Sequence, residues 1–318
     1  MKDEQTLPDE RQMKTGVSRR TFLKAVSGTA AGIGISQMFN PALVSAIEKA
    51  LKTHPVIWIQ GQGCTGCSVS LLNSVDPSIA DVLLKVISLQ FHPTVMASEG
   101  EIALENLYAI AEEYKGKFSL AVEGAIPVAA NGKYCIVGEM NHKEITMMDL
   151  VKDLGAKAGS VLAVGTCAAY GGIPAAKGSV TGATGVNKFF KTTGIKTPVV
   201  NIPGCPPHPD WIVGSIAHLL TKGLPKLDAD GRPEVFFGDN IHDNCPHLKE
   251  YDAGKMAEKF SEPNGCRKEL GCKGPSTSAD CYKRKWNSGM NWCVDNAVCI
   301  GCVEPGFPDA KSPFYVPE

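Results

Sequence analysis

The segment PVIWIQGQGCTGC, residues 55–67, gives the strongest indication of the fold of this chain. Its first six residues form a short apolar run, which is typical of a buried β-strand. A glycine-rich turn then carries Cys64 and Cys67 directly after the end of that strand. Further apolar runs predict four more strands, at Val82–Leu89, Phe118–Glu123, Ser160–Gly165 and Pro198–Ile202.

Helical segments separate these strands. Candidate helices lie at Ser68–Leu72, Glu101–Tyr114 and Thr146–Leu154, and the last has apolar positions at helical spacing. Strands that alternate with helices favour a parallel sheet covered on both faces, so we predict an α/β fold with a flavodoxin-like N-terminal domain at residues 47–225. Regular periodicity then fades into segments rich in Gly, Pro, Lys and Cys, and residues 226–318 are expected to form a small irregular C-terminal domain.

Composition narrows the class of protein. The 318 residues carry a formal charge of -1, which gives no reason to expect nucleic acid or an anionic membrane as a partner. The twelve cysteines exceed what packing requires. An even number in an exported chain also permits a disulfide scaffold, but such scaffolds compensate for a small core, which a chain of this length does not need.

Residues 1–46 are predicted to be an export signal. The segment SRRTFLK, residues 18–24, contains the paired arginines of the twin-arginine pathway, and small apolar residues follow. Val44-Ser45-Ala46 predicts cleavage after Ala46; an amphipathic helix from Ser18 is the alternative. The twin-arginine route moves folded proteins, which suits a periplasmic protein that receives its metal cofactors before export. No later apolar run reaches about 18 residues, so no membrane span is expected.

The first candidate ligand group comprises Cys64, Cys67, Cys167 and Cys205. Each follows a predicted strand, and the carboxyl ends of parallel strands share one edge of the sheet. Four thiolates suffice for a [4Fe–4S] cluster. Zinc accepts the same ligands, although structural zinc usually joins two short CxxC knuckles. A helix that starts near Cys67 is expected to point its first amides at an anionic cluster.

Two further ligand groups are predicted in the C-terminal region. The second group is His242, Cys245, Cys266 and Cys272, and the third group is Cys281, Cys293, Cys299 and Cys302. Bound clusters are expected to order this region, because it has few large apolar residues. A surface or capping role is the alternative for His242. Cys135 lies in an apolar run and is predicted to be a packing residue.

Together these motifs resemble the small subunit of nickel–iron hydrogenases. The resemblance rests on CTGC at 64–67, GTCAAYGG at 165–172, PGCPPHP at 203–209, the His242/Cys245 pair and CIGC at 299–302. It implies that the three groups hold the proximal, distal and medial clusters, in that order. It also implies electron transfer between the H2 site of a large partner subunit and a periplasmic multihaem c-type cytochrome, with no catalytic residue on this chain.

The resemblance is strongest to the nickel–iron–selenium branch. Cys293 stands where ordinary nickel–iron members have a proline and a [3Fe–4S] medial cluster, so its thiolate allows a [4Fe–4S] medial cluster. If Cys293 is not a ligand, the medial cluster is expected to be [3Fe–4S]. Gly66 and Gly172 replace the extra cysteines of oxygen-tolerant relatives, which implies an ordinary proximal cluster. The end at Glu318 lacks the hydrophobic helix of anchored members, so a soluble periplasmic enzyme is expected.

Two other functions fit parts of the sequence. The cluster-bearing subunit of a quinone-reducing respiratory complex shares the proximal-cluster fold but lacks the C-terminal ligand region. A disulfide-held secreted protein predicts no iron. Glu123, in the Val-Glu-Gly segment, is expected near the contact between subunits, either as a proton-path residue or as a hydrogen-bonded structural carboxylate.

Overall fold

The computed structural model describes residues 54–83, 87–260, 262–287 and 289–317. The export signal predicted at residues 1–46 lies outside these ranges. The described residues form the strands β1 (Pro55–Gln60), β2 (Ser88–Phe91), β3 (Ser119–Glu123), β4 (Ile136–Met140), β5 (Lys143–Thr146), β6 (Ser160–Val164) and β7 (Val199–Ile202).

Five of these strands make one parallel sheet in the order β2-β1-β3-β6-β7. Strands β4 and β5 form a separate antiparallel hairpin. Counted along the parallel strands alone, the order is 2-1-3-4-5, which is the flavodoxin-like order. The predicted fold class is confirmed.

The α-helices of the described residues cover both faces of the sheet and continue into the C-terminal region. They are α1 (Gly66–Leu72), α2 (Ile79–Asp81), α3 (Gly100–Glu113), α4 (Met147–Lys157), α5 (Thr166–Tyr170), α6 (Val186–Thr193), α7 (Pro209–Lys222), α8 (Glu234–Phe237), α9 (Leu248–Asp252), α10 (Cys281–Arg284) and α11 (Cys293–Asn296). Short 3₁₀ turns lie at Ala129–Gly132, Ile173–Ala175, His242–Asn244, Lys268–Leu270, Gly274–Ser276 and Asp309–Lys311. Within the described ranges, no helix is long and apolar enough to cross a membrane.

One face of the sheet shares its apolar core with the C-terminal region. Trp58 of β1 and Trp211 of α7 belong to the same buried cluster as Phe236, Phe237 and Trp292. The C-terminal region was expected to depend on bound clusters for its order. The structure shows that it also shares a continuous hydrophobic core with the sheet, which stabilises it without covalent help.

The other face packs against α3, α4 and α6. Leu107, Leu154 and Phe190 of these helices are buried against Leu120 and Ala163 of the sheet. Because both faces are covered, the central strands are apolar at almost every position rather than at alternate ones.

The strand predicted at Val82–Leu89 is wrong at its start. Val82 closes the helical turn of α2, and its amide donates to the carbonyl of Ser78 at 2.9 Å. The side chain of Ser78 caps the same turn by accepting from the amide of Asp81. The strand itself begins at Ser88. A short apolar run does not distinguish a buried helical turn from a strand, and the capping serine was the missed signal.

Candidate metal centres

The first ligand group lies at the carboxyl edge of the parallel sheet. The turns after β1, β6 and β7 carry Cys64 with Cys67, Cys167 and Cys205, respectively. Gly165 stands at the N-cap of α5 with a φ of 89°, and a Cβ built there would lie 2.4 Å from Sγ of Cys67. This turn requires glycine, because two strand ends bring backbone and thiol into direct contact.

Electrostatic interactions show that the four thiols of this group are close in space. Burial raises the pKa of Cys67, and the charges of Glu123, Cys167, Cys64 and Cys205 raise it further. Burial also raises the pKa of Cys167 to about 12, and Cys205 and Cys64 add to that shift. A cation bound among them would replace the thiol protons and remove the mutual repulsion.

Glu123 holds the first ligand segment in place. Its buried carboxylate ends β3, between the ligand-bearing strands β1 and β6. It accepts hydrogen bonds from the amides of Cys67 (3.0 Å) and Ser68 (3.1 Å), from the hydroxyl of Ser68, from Nε1 of Trp58 (3.0 Å) and from Nε2 of Gln60 (3.2 Å). These contacts favour the structural carboxylate over the proton-path residue.

The same contacts correct the expectation for the helix that begins near Cys67. Helix α1 does start at Gly66, but the amides of Cys67 and Ser68 donate to Glu123 rather than pointing at a cluster. A side-chain carboxylate from a neighbouring strand occupies the N-terminal end of the helix, where an anion is electrostatically favoured.

The four residues of the second ligand group line one cavity, together with Arg267 and Lys268. The ring of His242 meets Tyr251 edge-on, with the ring centroids 4.6 Å apart. Burial raises the pKa of Cys245 to about 11, and the charges of Cys272 and Cys266 act in the same direction. The structure therefore brings the predicted histidine and its three cysteines around a common space.

The third ligand group is also brought together. Burial raises the pKa of Cys281 well above that of an ordinary thiol, and the charges of Cys302, Cys293 and Cys299 raise it further. The amide of Gly301 donates to Sγ of Cys299 at 3.4 Å, a contact that favours the thiolate.

Two tryptophans lie beside the third group. Trp292 is buried in the same core cluster as Cys281 and Cys299, and Trp286 packs at the edge of that cluster. Next to them, Nδ2 of Asn287 donates to Oδ1 of Asn291 at 3.0 Å, so this pair stabilises its own turn.

The third group interacts with residues of both other groups. Burial and the charge of Cys293 raise the pKa of Cys302, in the third group, to about 12. The charge of Cys205, in the first group, contributes to the same shift. Burial and then the charge of Cys272, in the second group, raise the pKa of Cys299 in the third. The third group therefore lies between the first and the second, although it is last in sequence.

Thr166 links the first and third groups, and sequence reasoning missed it. Its hydroxyl donates to the carbonyl of Cys302 and accepts from the amide of Gly204 at 2.9 Å. It directly precedes Cys167, so one side chain ties together segments from two groups. Its place in the GTCAAYGG segment, next to a ligand, was the available signal.

The donor sets fit iron–sulfur clusters better than a single ion. Among the described residues, no three His, Cys, Asp or Glu side chains converge on a point that could hold one metal ion. Structural zinc requires such convergence, whereas each thiolate of a cubane binds a different iron atom. All twelve cysteines are free thiols, which does not support the disulfide scaffold. Cys135 is half-buried and packs against the apolar core on the sheet face that α3, α4 and α6 cover.

The first group has one side open to a partner. Cys64 and Cys205 are exposed, as is Cys293 of the third group, whereas Cys281 and Cys299 of that group are buried. Val69, Leu72 and Val75, on and just after α1, are also exposed, with 43% to 62% of each residue accessible. An apolar patch beside exposed ligands is typical of a protein–protein contact.

A flavodoxin-like sheet with cysteines at its carboxyl edge, followed by a second cysteine-rich region, is typical of iron–sulfur electron-transfer proteins. Residues 64–219 match the family model described as NADH ubiquinone oxidoreductase, 20 Kd subunit. Residues 237–315 match the family model for the C-terminal part of the NiFe/NiFeSe hydrogenase small subunit. The second match disfavours the subunit of a quinone-reducing complex.

Similar proteins agree with this assignment. The chain is 60% identical to the periplasmic [NiFeSe] hydrogenase small subunit of Desulfomicrobium baculatum, over 95% of this chain and 99% of that protein. It is 42% identical to periplasmic [NiFe] hydrogenase small subunit 1 of Nitratidesulfovibrio vulgaris, over 96% of both chains. A chain of the oxidised [NiFeSe] hydrogenase structure from Desulfovibrio vulgaris Hildenborough superposes with a TM-score of 0.80 at 65% identity, covering 83% of this chain and 97% of that one.

The chain belongs to the family of nickel–iron and nickel–iron–selenium hydrogenase small subunits. It is the electron-transfer subunit of a heterodimeric hydrogenase, and its partner is the large subunit. Small subunits of this family carry iron–sulfur clusters, and this chain has twelve cysteines.

Proposed function

We propose that this chain carries electrons through three [4Fe–4S] clusters, held by eleven of its twelve cysteines and by His242. The proximal cluster binds to the first group, the distal cluster to the second and the medial cluster to the third, including Cys293. When bound, the clusters accept and release single electrons between the H2 site of the large subunit and an external carrier.

The position of the third group next to both other groups carries this proposal, and the hydrogen bond from Thr166, beside Cys167, to the carbonyl of Cys302 supports it. Cys302 interacts electrostatically with Cys205 at one end of the third group, and Cys299 with Cys272 at the other. Electrons need closely spaced sites, and this order supplies a path from the exposed side of the first group to the second. Buried residues around the third group exclude water and so lower the local dielectric constant.

The large subunit is proposed to cover the first group. Cys64 and Cys205 are exposed beside the apolar residues Val69, Leu72 and Val75. A hydrophobic partner surface placed there would remove both thiolates from water and bring the H2 site of the large subunit near them. Glu123 would keep Cys67 in register during this contact, because it binds the amide of that residue.

The remaining proposals concern location and the external carrier. We propose that residues 1–46 direct export by the twin-arginine pathway to the periplasm, and that the mature chain divides into residues 47–225 and 226–318. The matched family models, which end at residue 219 and begin again at residue 237, support a division between them. A periplasmic multihaem c-type cytochrome is the proposed acceptor.

The test uses the heterodimer purified without oxygen. The proposal expects about twelve irons, four for each cluster, and H2-dependent reduction of a multihaem c-type cytochrome. Cys245→Ala, in the second group, should abolish cytochrome reduction while H2 still reduces a small dye that collects electrons at the proximal end. Equal loss of both activities, or a protein without iron, would contradict the relay.

A further inference from the structure

Arg267 occupies the junction between the second and third ligand groups. It is 2% exposed and lines the cavity of the second group, directly after Cys266. Its Nη1 donates to the carbonyl of Val294, and its Nη2 donates to the carbonyl of Asp295 at 3.3 Å. Both carbonyls belong to the segment that follows Cys293, so one guanidinium touches the ligand segments of two groups.

No carboxylate neutralises this guanidinium within the part of the chain that the structure describes. Its other partners are the carbonyl of Glu262, at 3.0 Å, and Nε2 of His247, at 3.2 Å. Its Nε is buried and has no hydrogen-bond partner. Arg267 is therefore a buried positive charge held by neutral groups.

Two other largely enclosed arginines show the contrast. Nε of Arg232 lies 2.7 Å from Oδ2 of Asp228, and Nε of Arg284 lies 2.6 Å from Oδ2 of Asp280. A buried charge without a counter-ion is strongly unfavourable, so Arg267 needs an anion that its carbonyl partners do not supply. The three cysteines of the second group lie on the same cavity wall, and they would supply that negative charge as thiolates once they bind a cluster.

We propose that Arg267 supplies the fixed positive charge of the distal cluster, raising its reduction potential, while its carbonyl contacts position the second ligand segment against the third. The proposal rests on the second group binding a cluster, as proposed above. Each electron that enters the cluster adds one negative charge, and a nearby buried cation stabilises the reduced form over the oxidised form. Arg267 is thus a positioning residue whose charge acts on electron affinity.

The test compares three variants of the intact heterodimer. Arg267→Gln removes the buried charge, and Arg267→Lys keeps it. The control, Lys255→Gln, removes an exposed charge from a residue next to the second group, since the main-chain carbonyl of Lys255 accepts from the amide of Cys266. The readout is a potentiometric titration of the distal cluster by electron paramagnetic resonance, with the signal assigned by hyperfine coupling to its histidine nitrogen. At a fixed solution potential, Arg267→Gln should lower the ratio of reduced to oxidised distal cluster about tenfold, which is about 59 mV for one electron. Lys255→Gln and Arg267→Lys should change it less than twofold, because the exposed charge is screened by solvent and the lysine retains the positive charge.

The unmodified heterodimer separates the two proposals. If it lacks about twelve irons or a histidine-coupled signal, the proposed function fails before any variant is compared. If both are present and Arg267→Gln leaves the ratio unchanged, only the assignment of Arg267 is overturned. If Arg267→Gln does not retain the distal cluster, the Arg267→Lys variant is decisive. An unchanged ratio of reduced to oxidised distal cluster in that variant supports the role of the positive charge. A shifted ratio, or loss of the distal cluster alone, overturns that role.

Discussion

Replacing Gly165 with alanine should remove the proximal cluster and leave the other two in place. A Cβ at this position would lie 2.4 Å from Sγ of Cys67, whereas unbonded heavy atoms pack at about 3.5–4.0 Å. The thiol must therefore move by about 1 Å or more, and metal–thiolate bond lengths tolerate only about 0.2 Å. Alanine at the φ of 89° adds backbone strain of about 1 kcal/mol.

The control for Gly165→Ala is Gly194→Ala, at the end of α6. Gly194 has a φ of 76°, and a methyl group added there would meet nothing within 4 Å, so this variant carries similar strain without the collision. We expect about eight irons in Gly165→Ala and about twelve in Gly194→Ala, measured by elemental analysis of the anaerobic heterodimer. Full iron content with an unaltered proximal spectrum in Gly165→Ala would refute the placement of Cys67 beside this turn.

Three further substitutions test separate parts of the structure. Cys293→Ala should lower the iron content from about twelve to about eleven and create a three-iron spectrum, while Cys135→Ala should change neither; unchanged iron in both would remove Cys293 from the ligands. Glu123→Gln should weaken the binding of its amide and indole donors by about 2–4 kcal/mol, seen as faster loss of proximal iron to a chelator, and an unchanged rate would contradict the positioning role. Arg232→Met leaves three carboxylates without their buried partner and should destabilise the chain by about 3–5 kcal/mol in thermal inactivation, whereas Lys226→Met, at an exposed ion pair, should cost at most about 1 kcal/mol.

Sequence patterns predicted the sheet and the position of its thiols, because both depend on local signals. An apolar run defines each buried strand, and Cys64, Cys167 and Cys205 follow three of the strands at short distances. The parallel topology then requires those strand ends to meet at one edge. The assignment of Val82 to a strand failed because a helical turn of this length has the same apolar pattern.

Contacts between distant segments were not predictable from those patterns. Glu123 receives donors from residues 55 to 65 positions away, and Arg267 reaches carbonyls 27 and 28 positions away. No periodicity or motif encodes such pairs, since they arise only when the packed elements bring the segments together. For the same reason, the core shared between Trp58 and Trp292 was not expected from the irregular C-terminal sequence.

Anomalous diffraction at the iron absorption edge, from crystals of the anaerobic heterodimer, would locate the iron of every cluster. We expect three four-iron peaks in line, with the peak at Cys281, Cys293, Cys299 and Cys302 in the middle. The end peaks should lie at Cys64, Cys67, Cys167 and Cys205 and at His242, Cys245, Cys266 and Cys272. Fewer than three iron sites, single ions instead of clusters, or a different site in the middle would contradict the proposed relay.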